Sequence, residues 1–229
     1  MTEAQGSHPV RGVVPTSAER GFYRIARAVL VGACRAWFRL RVEGSHHLPE
    51  HGPVILAPVH RSNLDTPIVA ATTRRMLRFM GKDSLWARSR AIGAVLSALG
   101  AFPVARGTAD REALRRCQEV LESGQPLVLF PEGTRRSGPI VEDIFDGPAF
   151  LALRTGAPIV PIGIAGSEEA QPRGGRWIRP IRVHVVIGAP LVPTVGGGST
   201  TSRRAVRELT ATLQEELQRL FEMASDRRS

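Results

Sequence analysis

The chain has 229 residues, with 31 Lys and Arg against 21 Asp and Glu, a formal net charge of +10, and 42% hydrophobic against 23% charged residues. These proportions exclude a disordered polyelectrolyte and a multispanning membrane protein, and the length suits one domain whose core needs neither disulfides nor a structural metal. Lys82 is the only lysine, so the cationic excess is almost entirely guanidinium, suited to nucleic acid, an anionic membrane or a negatively charged substrate.

Residues 1–18 read as a loose tail without the apolar region of a secretory signal. Over 19–39, Phe22, Ile25, Val29, Leu30, Ala33 and Trp37 recur at helical spacing, while Arg20, Arg24, Arg27, Arg35 and Arg39 interrupt the stretch. Those arginines rule out a spanning helix. The segment is either an amphipathic helix in a membrane interface or a surface helix docked on its own core. Cys34 and, further on, Cys117 lack the spacing of a zinc knot or redox pair and read as small buried hydrophobes. A short strand over 40–43 follows, and His46, His47 and His51 read as a solvated turn rather than a metal site.

Apolar runs at 54–57, 77–80, 127–130, 158–165 and 181–187 predict buried strands, and 67–75, 84–99, 110–123 and 147–155 predict helices. Their alternation predicts an α/β fold, a single domain with a central mostly parallel or mixed sheet flanked by helices. The stretch 91–102 reads as core packing or as the lining of an apolar groove. The Arg-flanked Trp177 reads as an interfacial or a solvated loop. A Gly-rich linker leads into a last helix whose stripe of Val206, Leu209, Leu213, Leu217, Leu220 and Phe221 is packing. The organisation expected is a tail (1–18), an amphipathic helix (19–41), the main domain (42–190), and a linker with the C-terminal helix (191–229).

The chemistry concentrates in three loops. His60-Arg-Ser-Asn-Leu-Asp65 follows the strand of 54–57. On a continuous helix two residues five apart point about 140° away from each other, so this pair meets only if the chain turns between them. Asp65-Thr66-Pro67, capping residues before a proline, supplies that turn. A carboxylate beside an imidazole fixes its tautomer and supports the charge gained on taking a proton. Phe130-Pro-Glu-Gly-Thr-Arg135 places a carboxylate and a guanidinium at a strand end, where open α/β sheets bind ligands. Arg135 is a natural fork for phosphate oxygens, and Glu132 can accept a ligand hydroxyl or hold Arg135. Gly100-Ala-Phe-Pro-Val-Ala-Arg106 brings a further arginine out of an apolar segment.

In order and spacing these blocks, with Val160-Pro161-Ile162 after them, resemble the glycerolipid acyltransferase family, especially the 1-acyl-sn-glycerol-3-phosphate acyltransferases, over roughly 42–190. The resemblance implies an O-acyltransferase that moves a fatty acyl group from acyl-CoA or acyl carrier protein to the free hydroxyl of the lysolipid, giving phosphatidic acid. It implies His60 as general base and Asp65 as its orienting acid, and it places Arg106, Glu132, Gly133, Thr134 and Arg135 at the phosphorylated acceptor. Lys82 aligns with a frequent family lysine, and its compact ammonium suits the oxyanion of the tetrahedral intermediate. The thioester is already activated, so neither cysteine is needed as nucleophile. No metal and no cofactor beyond the thioester co-substrate is expected. Two positions depart from the family: Val59 stands where Asn is common, and Asp146 where Lys is usual.

The expected partners are a lysophospholipid, the acyl donor and an anionic membrane surface, with no nucleic acid. The expected place is the cytoplasmic face of a membrane, held peripherally. The alternatives are an acyltransferase for another lysolipid, a silent member of the family, and a non-catalytic basic lipid- or nucleic-acid-binding protein. The single tyrosine leaves few stacking platforms for the last.

Overall fold

The structure, a computed structural model, describes residues 17–82, 96–97, 99–104, 109–193 and 202–228. Most of the tail of 1–18, most of the helix over 84–99, Arg106, the Gly-rich linker and the side chain of Lys82 lie outside the described residues.

In chain order come α1 (Ser17–Phe38), β1 (Arg41–Glu43), β2 (Val54–Pro58), α2 (Asp65–Thr72), β3 (Arg78–Lys82) and β4 (Ala101–Val104). There follow α3 (Ala109–Glu122), β5 (Pro126–Val128), α4 (Gly147–Thr155), β6 (Ile159–Ala165), α5 (Ser167–Ala170), β7 (His184–Ile187) and α6 (Arg203–Arg228). The strands form a mixed seven-stranded sheet in the order β1-β7-β6-β2-β5-β3-β4, parallel throughout except where β6 meets β7.

The continuous apolar runs become the middle of the sheet. Every residue of β2, β5 and β6 is buried, as strands covered on both faces must be. β4 carries Pro103 and sits at the edge, where a missing N–H leaves no ladder bond unmade. The strand expected over 181–187 pairs only from His184 on, and the short helix α5 was not foreseen.

α6 packs across β6 and β7, burying Leu213, Leu217, Leu220 and Ala224. A Cβ on Gly163, in the middle of β6, would stand 2.3 Å from the Leu220 carbonyl oxygen, so glycine is what lets the helix lie this close. The C-terminal helix is thus part of the same body as the sheet.

α1 has two apolar faces. Tyr23, Cys34 and Phe38 are buried against the domain, with Leu30 half-buried beside them. Phe22, Ile25, Val29 and Trp37 form a second stripe that is exposed, flanked by exposed Arg24 and Arg35. Arg27 points the other way. Its Nε donates to the Thr73 carbonyl and its Nη2 to that of Ala71 at 3.4 Å, capping the C-terminal end of α2.

Candidate active site

The parallel register of β2 and β5 pairs Leu56 with Val128. Continuing it past the strand ends places His60 opposite Glu132, so pairing two buried strands brings the His60 and Phe130 loops together. The backbone enforces this contact: the N–H of His60 donates to Glu132 Oε2 at 2.6 Å, and that of Arg136 donates to the His60 carbonyl at 2.8 Å.

The His60 loop turns as its composition requires. Asp65 is the first residue of α2, two positions earlier than the proline suggested, and its carboxylate points back into the loop. Asp65 Oδ2 accepts the N–H of Arg61 at 2.6 Å, the N–H of Ser62 at 2.7 Å and His60 Nδ1 at 3.0 Å. Three donors on one buried oxygen hold both the turn and the ring. A carboxylate can only accept, so the proton lies on Nδ1 and Nε2 keeps its lone pair. The ring stacks on Phe130, centroids 4.0 Å apart, and its side chain keeps 17% exposure. The ring is therefore fixed in orientation and tautomer, and it stays partly exposed.

Glu132 does not hold Arg135. Its second oxygen, Oε1, takes Arg61 Nη1 at 2.5 Å, and both side chains are buried. Removing two charges from water is costly unless their remaining hydrogen-bonding capacity is met. Here it is: Arg61 Nε donates to the Gly138 carbonyl at 3.2 Å, Nη2 donates to that of Ile140 at 3.0 Å, and the guanidinium lies 4.9 Å from the Phe221 ring centroid. Arg61 ties the His60 loop, the 138–140 segment and α6 together.

Of the remaining residues singled out, Arg135 is half-buried and makes no hydrogen bond or ion pair to a described residue, leaving its fork free for an anion. Thr134 is exposed beside it. Gly133 has a φ of 64°, and a Cβ there would come within 2.5 Å of the Phe145 ring, so this position requires glycine. Lys82 ends β3, with its side chain outside the described residues, and Arg106 lies outside them altogether. Among the described residues no group of three His, Cys, Asp or Glu side chains could hold a metal, and His47 Nδ1 lies 2.9 Å from the Ile187 carbonyl oxygen.

Sequence reasoning missed Arg61 and the stacking role of Phe130. Among so many arginines nothing marks the one that goes inside. The only available signal was its place between the base and the turn, where the chain has little room to reach solvent.

Cys117 is buried with its Sγ 3.4 Å from Met80 Sδ, and burial pushes its thiol up to about 12. It carries no thiolate at neutral pH and is no nucleophile.

A family model described as Acyltransferase matches residues 39–165. A chloroplastic 1-acyl-sn-glycerol-3-phosphate acyltransferase of Arabidopsis thaliana is 28% identical over 159 residues, which cover 68% of this chain and 44% of that protein. The alpha 1-acyl-sn-glycerol-3-phosphate acyltransferase of Bos taurus is 27% identical over 161 residues, covering 69% and 55%. The chain spans about half the length of these curated relatives. The crystal structure of PlsC, a 1-acyl-sn-glycerophosphate acyltransferase from Thermotoga maritima, matches with a TM-score of 0.75 at 25% identity, covering 93% of this chain and 85% of that one. With the model match running over more than half of its residues, and across the His60 and Phe130 loops, the chain belongs to the acyltransferase family.

Proposed function

We propose that the protein transfers a fatty acyl group from a thioester donor to the free hydroxyl of a lysophospholipid, with 1-acyl-sn-glycerol-3-phosphate as acceptor and phosphatidic acid as product. The observation that carries this reading is the His60 ring, held through Nδ1 by Asp65 and partly exposed. Nε2 takes the proton of the acceptor hydroxyl as its oxygen attacks the thioester carbonyl. Asp65 supports the imidazolium so formed, and the proton passes to the departing thiolate as the tetrahedral intermediate collapses. General-base assistance of this kind contributes about 10²- to 10⁴-fold. Arg135, together with Arg106 and Thr134, receives the acceptor phosphate, and the Lys82 ammonium serves as partner of the oxyanion. Glu132 acts through His60 and Arg61 rather than on the substrate.

A cavity of about 520 Å³ runs under α1, with Leu30 and Ala33 on one wall, Pro67 and Ala70 on another, and Leu96 and Leu99 at its end. Thr66, next to Asp65, also lines it. Its apolar lining suits the acceptor's own acyl chain. The exposed stripe of Phe22, Ile25, Val29 and Trp37 with its flanking arginines suits a helix lying among headgroups, and no described helix is long and apolar enough to cross a membrane. Trp177 is exposed on the segment that leads to Pro180, whose carbonyl accepts from Arg39 Nη2 at 3.1 Å. Both places suit a peripheral protein on an anionic membrane.

The test is acyl transfer by the full chain to a panel of phosphorylated, zwitterionic and neutral lysolipids, read by mass spectrometry. The expected product is phosphatidic acid, and Arg135→Ala should raise KM for the phosphorylated acceptor about tenfold while leaving that for the donor in place. Equal loss with a neutral acceptor would instead favour a broader lysolipid transferase.

A further inference from the structure

Between α5 and β7 the chain carries Arg173-Gly-Gly-Arg-Trp-Ile-Arg-Pro180, and every one of these residues is exposed. The segment is nevertheless a closed loop. The Arg179 N–H donates to the Ala170 carbonyl at 2.9 Å and the Gly175 N–H to that of Pro172 at 2.9 Å, with Gly174 at a φ of 83° in the turn. Trp177 is 85% exposed, and Ile178 is exposed beside it. Arg173, Arg176 and Arg179 flank this pair, and none of their guanidinium groups makes a hydrogen bond or ion pair to a described residue. The acidic residues nearest in sequence are engaged elsewhere: Glu168 Oε2 accepts the Gly138 N–H at 3.3 Å, and Glu169 Oε1 accepts Arg228 Nη2 at 2.7 Å.

The root of this loop is bonded to the turn that holds His60. Ser62 is fully buried, and its hydroxyl donates to the Gln171 carbonyl at 2.9 Å. The N–H of the same residue donates at 2.7 Å to Asp65 Oδ2, the oxygen that holds His60 Nδ1. Ser62 therefore links the first residue of the exposed loop to the carboxylate of the dyad.

We propose that the 173–180 loop docks on the headgroup region of an anionic phospholipid bilayer and that its link through Ser62 fixes where the His60 turn stands over that bilayer; the choice of occupant rests on the acyl transfer to a lysolipid proposed above. An indole and an aliphatic side chain set among guanidinium groups match the two chemistries of that region. The ring and Ile178 meet the boundary with the acyl chains, and the arginine forks meet phosphate oxygens, with no counter-ion in the protein to displace. A nucleic acid would answer the charge and leave Ile178 in water. The loop thus adds to the exposed stripe of α1 a contact that is hydrogen-bonded to the dyad's own turn.

The experiment is sedimentation of the full chain with vesicles of phosphatidylcholine, alone or mixed equally with phosphatidylglycerol, which needs no turnover. Two variants are compared with wild type: Arg173→Gln with Arg176→Gln and Arg179→Gln, and Trp177→Ser with Ile178→Ser. An arginine at an anionic surface contributes about fivefold in affinity, so the triple variant is expected to bind the mixed vesicles at least about tenfold more weakly and to change little on phosphatidylcholine. The Trp177 and Ile178 variant is expected to bind both kinds of vesicle more weakly. Transfer to a short-chain acceptor dispersed as monomers should keep its wild-type kcat/KM in both variants, while transfer to a long-chain acceptor embedded in the mixed vesicles should fall with binding. Thermal melts establish that both variants fold. Unchanged affinity for the mixed vesicles in either variant, an equal loss of transfer to monomeric and embedded acceptor, or a wild-type chain that binds duplex DNA but not the mixed vesicles overturns the proposal. A chain that binds the vesicles through this loop but transfers no acyl group overturns the function reading and leaves the docking site standing.

Discussion

The backbone N–H of His60 donates to Glu132 Oε2 at 2.6 Å, while the other oxygen of the same carboxylate holds Arg61. One buried side chain on the loop after β5 therefore fixes the His60 peptide on the loop after β2. This separates Glu132 from substrate: it has no exposed surface.

Glu132→Gln tests that separation. The amide can accept from only one of its two present donors, and the buried Arg61 loses its counter-charge. Breaking one side of a buried pair costs about 3–5 kcal/mol, so a large drop in Tm is expected together with a fall in kcat. KM for the phosphorylated acceptor should move little. A variant of normal stability and kcat whose acceptor KM alone rises would return Glu132 to the substrate.

Asp65→Asn is expected to lower kcat by about 10²- to 10⁴-fold. Its amide oxygen can still accept from the Arg61 and Ser62 N–H groups, but an amide does not stabilise an imidazolium as a carboxylate does. Circular dichroism should show a retained fold, and steady-state kinetics with saturating substrates should show the loss. Turnover within a few-fold of wild type would remove Asp65 from the mechanism.

How far these residues could be foreseen varied with how local the determinant was. The His60/Asp65 pair was legible because the turn that joins them is written in the four residues between and in Pro67. The buried strands were legible as apolar runs, and the last helix as a stripe. Arg61 was not, because its burial depends on a carboxylate 71 positions away and on carbonyls of the 138–140 segment. α1 was read as either docked or membrane-facing. Its Tyr23, Cys34 and Phe38 face meets the first description, and the Phe22, Ile25, Val29 and Trp37 stripe remains exposed for the second. Arg27 was grouped with the interfacial arginines, yet it caps α2, because only the packed structure brings the carbonyls of Ala71 and Thr73 beside it.

Stability should fall on mild acidification, through His184. Burial lowers its pKa, outweighing a hydrogen bond with the Arg227 backbone that acts the other way, and Arg41 and Arg182 add repulsion; its Nε2 lies 2.9 Å from Glu43 Oε1. Because the folded pKa lies below the unfolded value of about 6.5, the contribution is complete above that pH and is lost as pH falls through the folded value. Denaturant melts from pH 7.5 to 5 should show the decline, and His184→Gln should flatten it. A variant with the same acid limb as wild type would assign the decline elsewhere.

Cys117 should resist thiol reagents in the folded protein, since its thiol titrates at about 12 and faces an apolar cavity. Labelling with a chromogenic disulfide at pH 8 is expected to proceed at the rate of unfolding. Rapid labelling of native protein at Cys117, seen by peptide mass spectrometry, would contradict the burial.

The most direct test of the central claim compares wild type with His60→Ala in transfer of a labelled acyl group from acyl-CoA to 1-acyl-sn-glycerol-3-phosphate. The account predicts labelled phosphatidic acid from wild type and a loss of at least about 10²-fold in the variant at unchanged fold. Undiminished transfer by His60→Ala would contradict it.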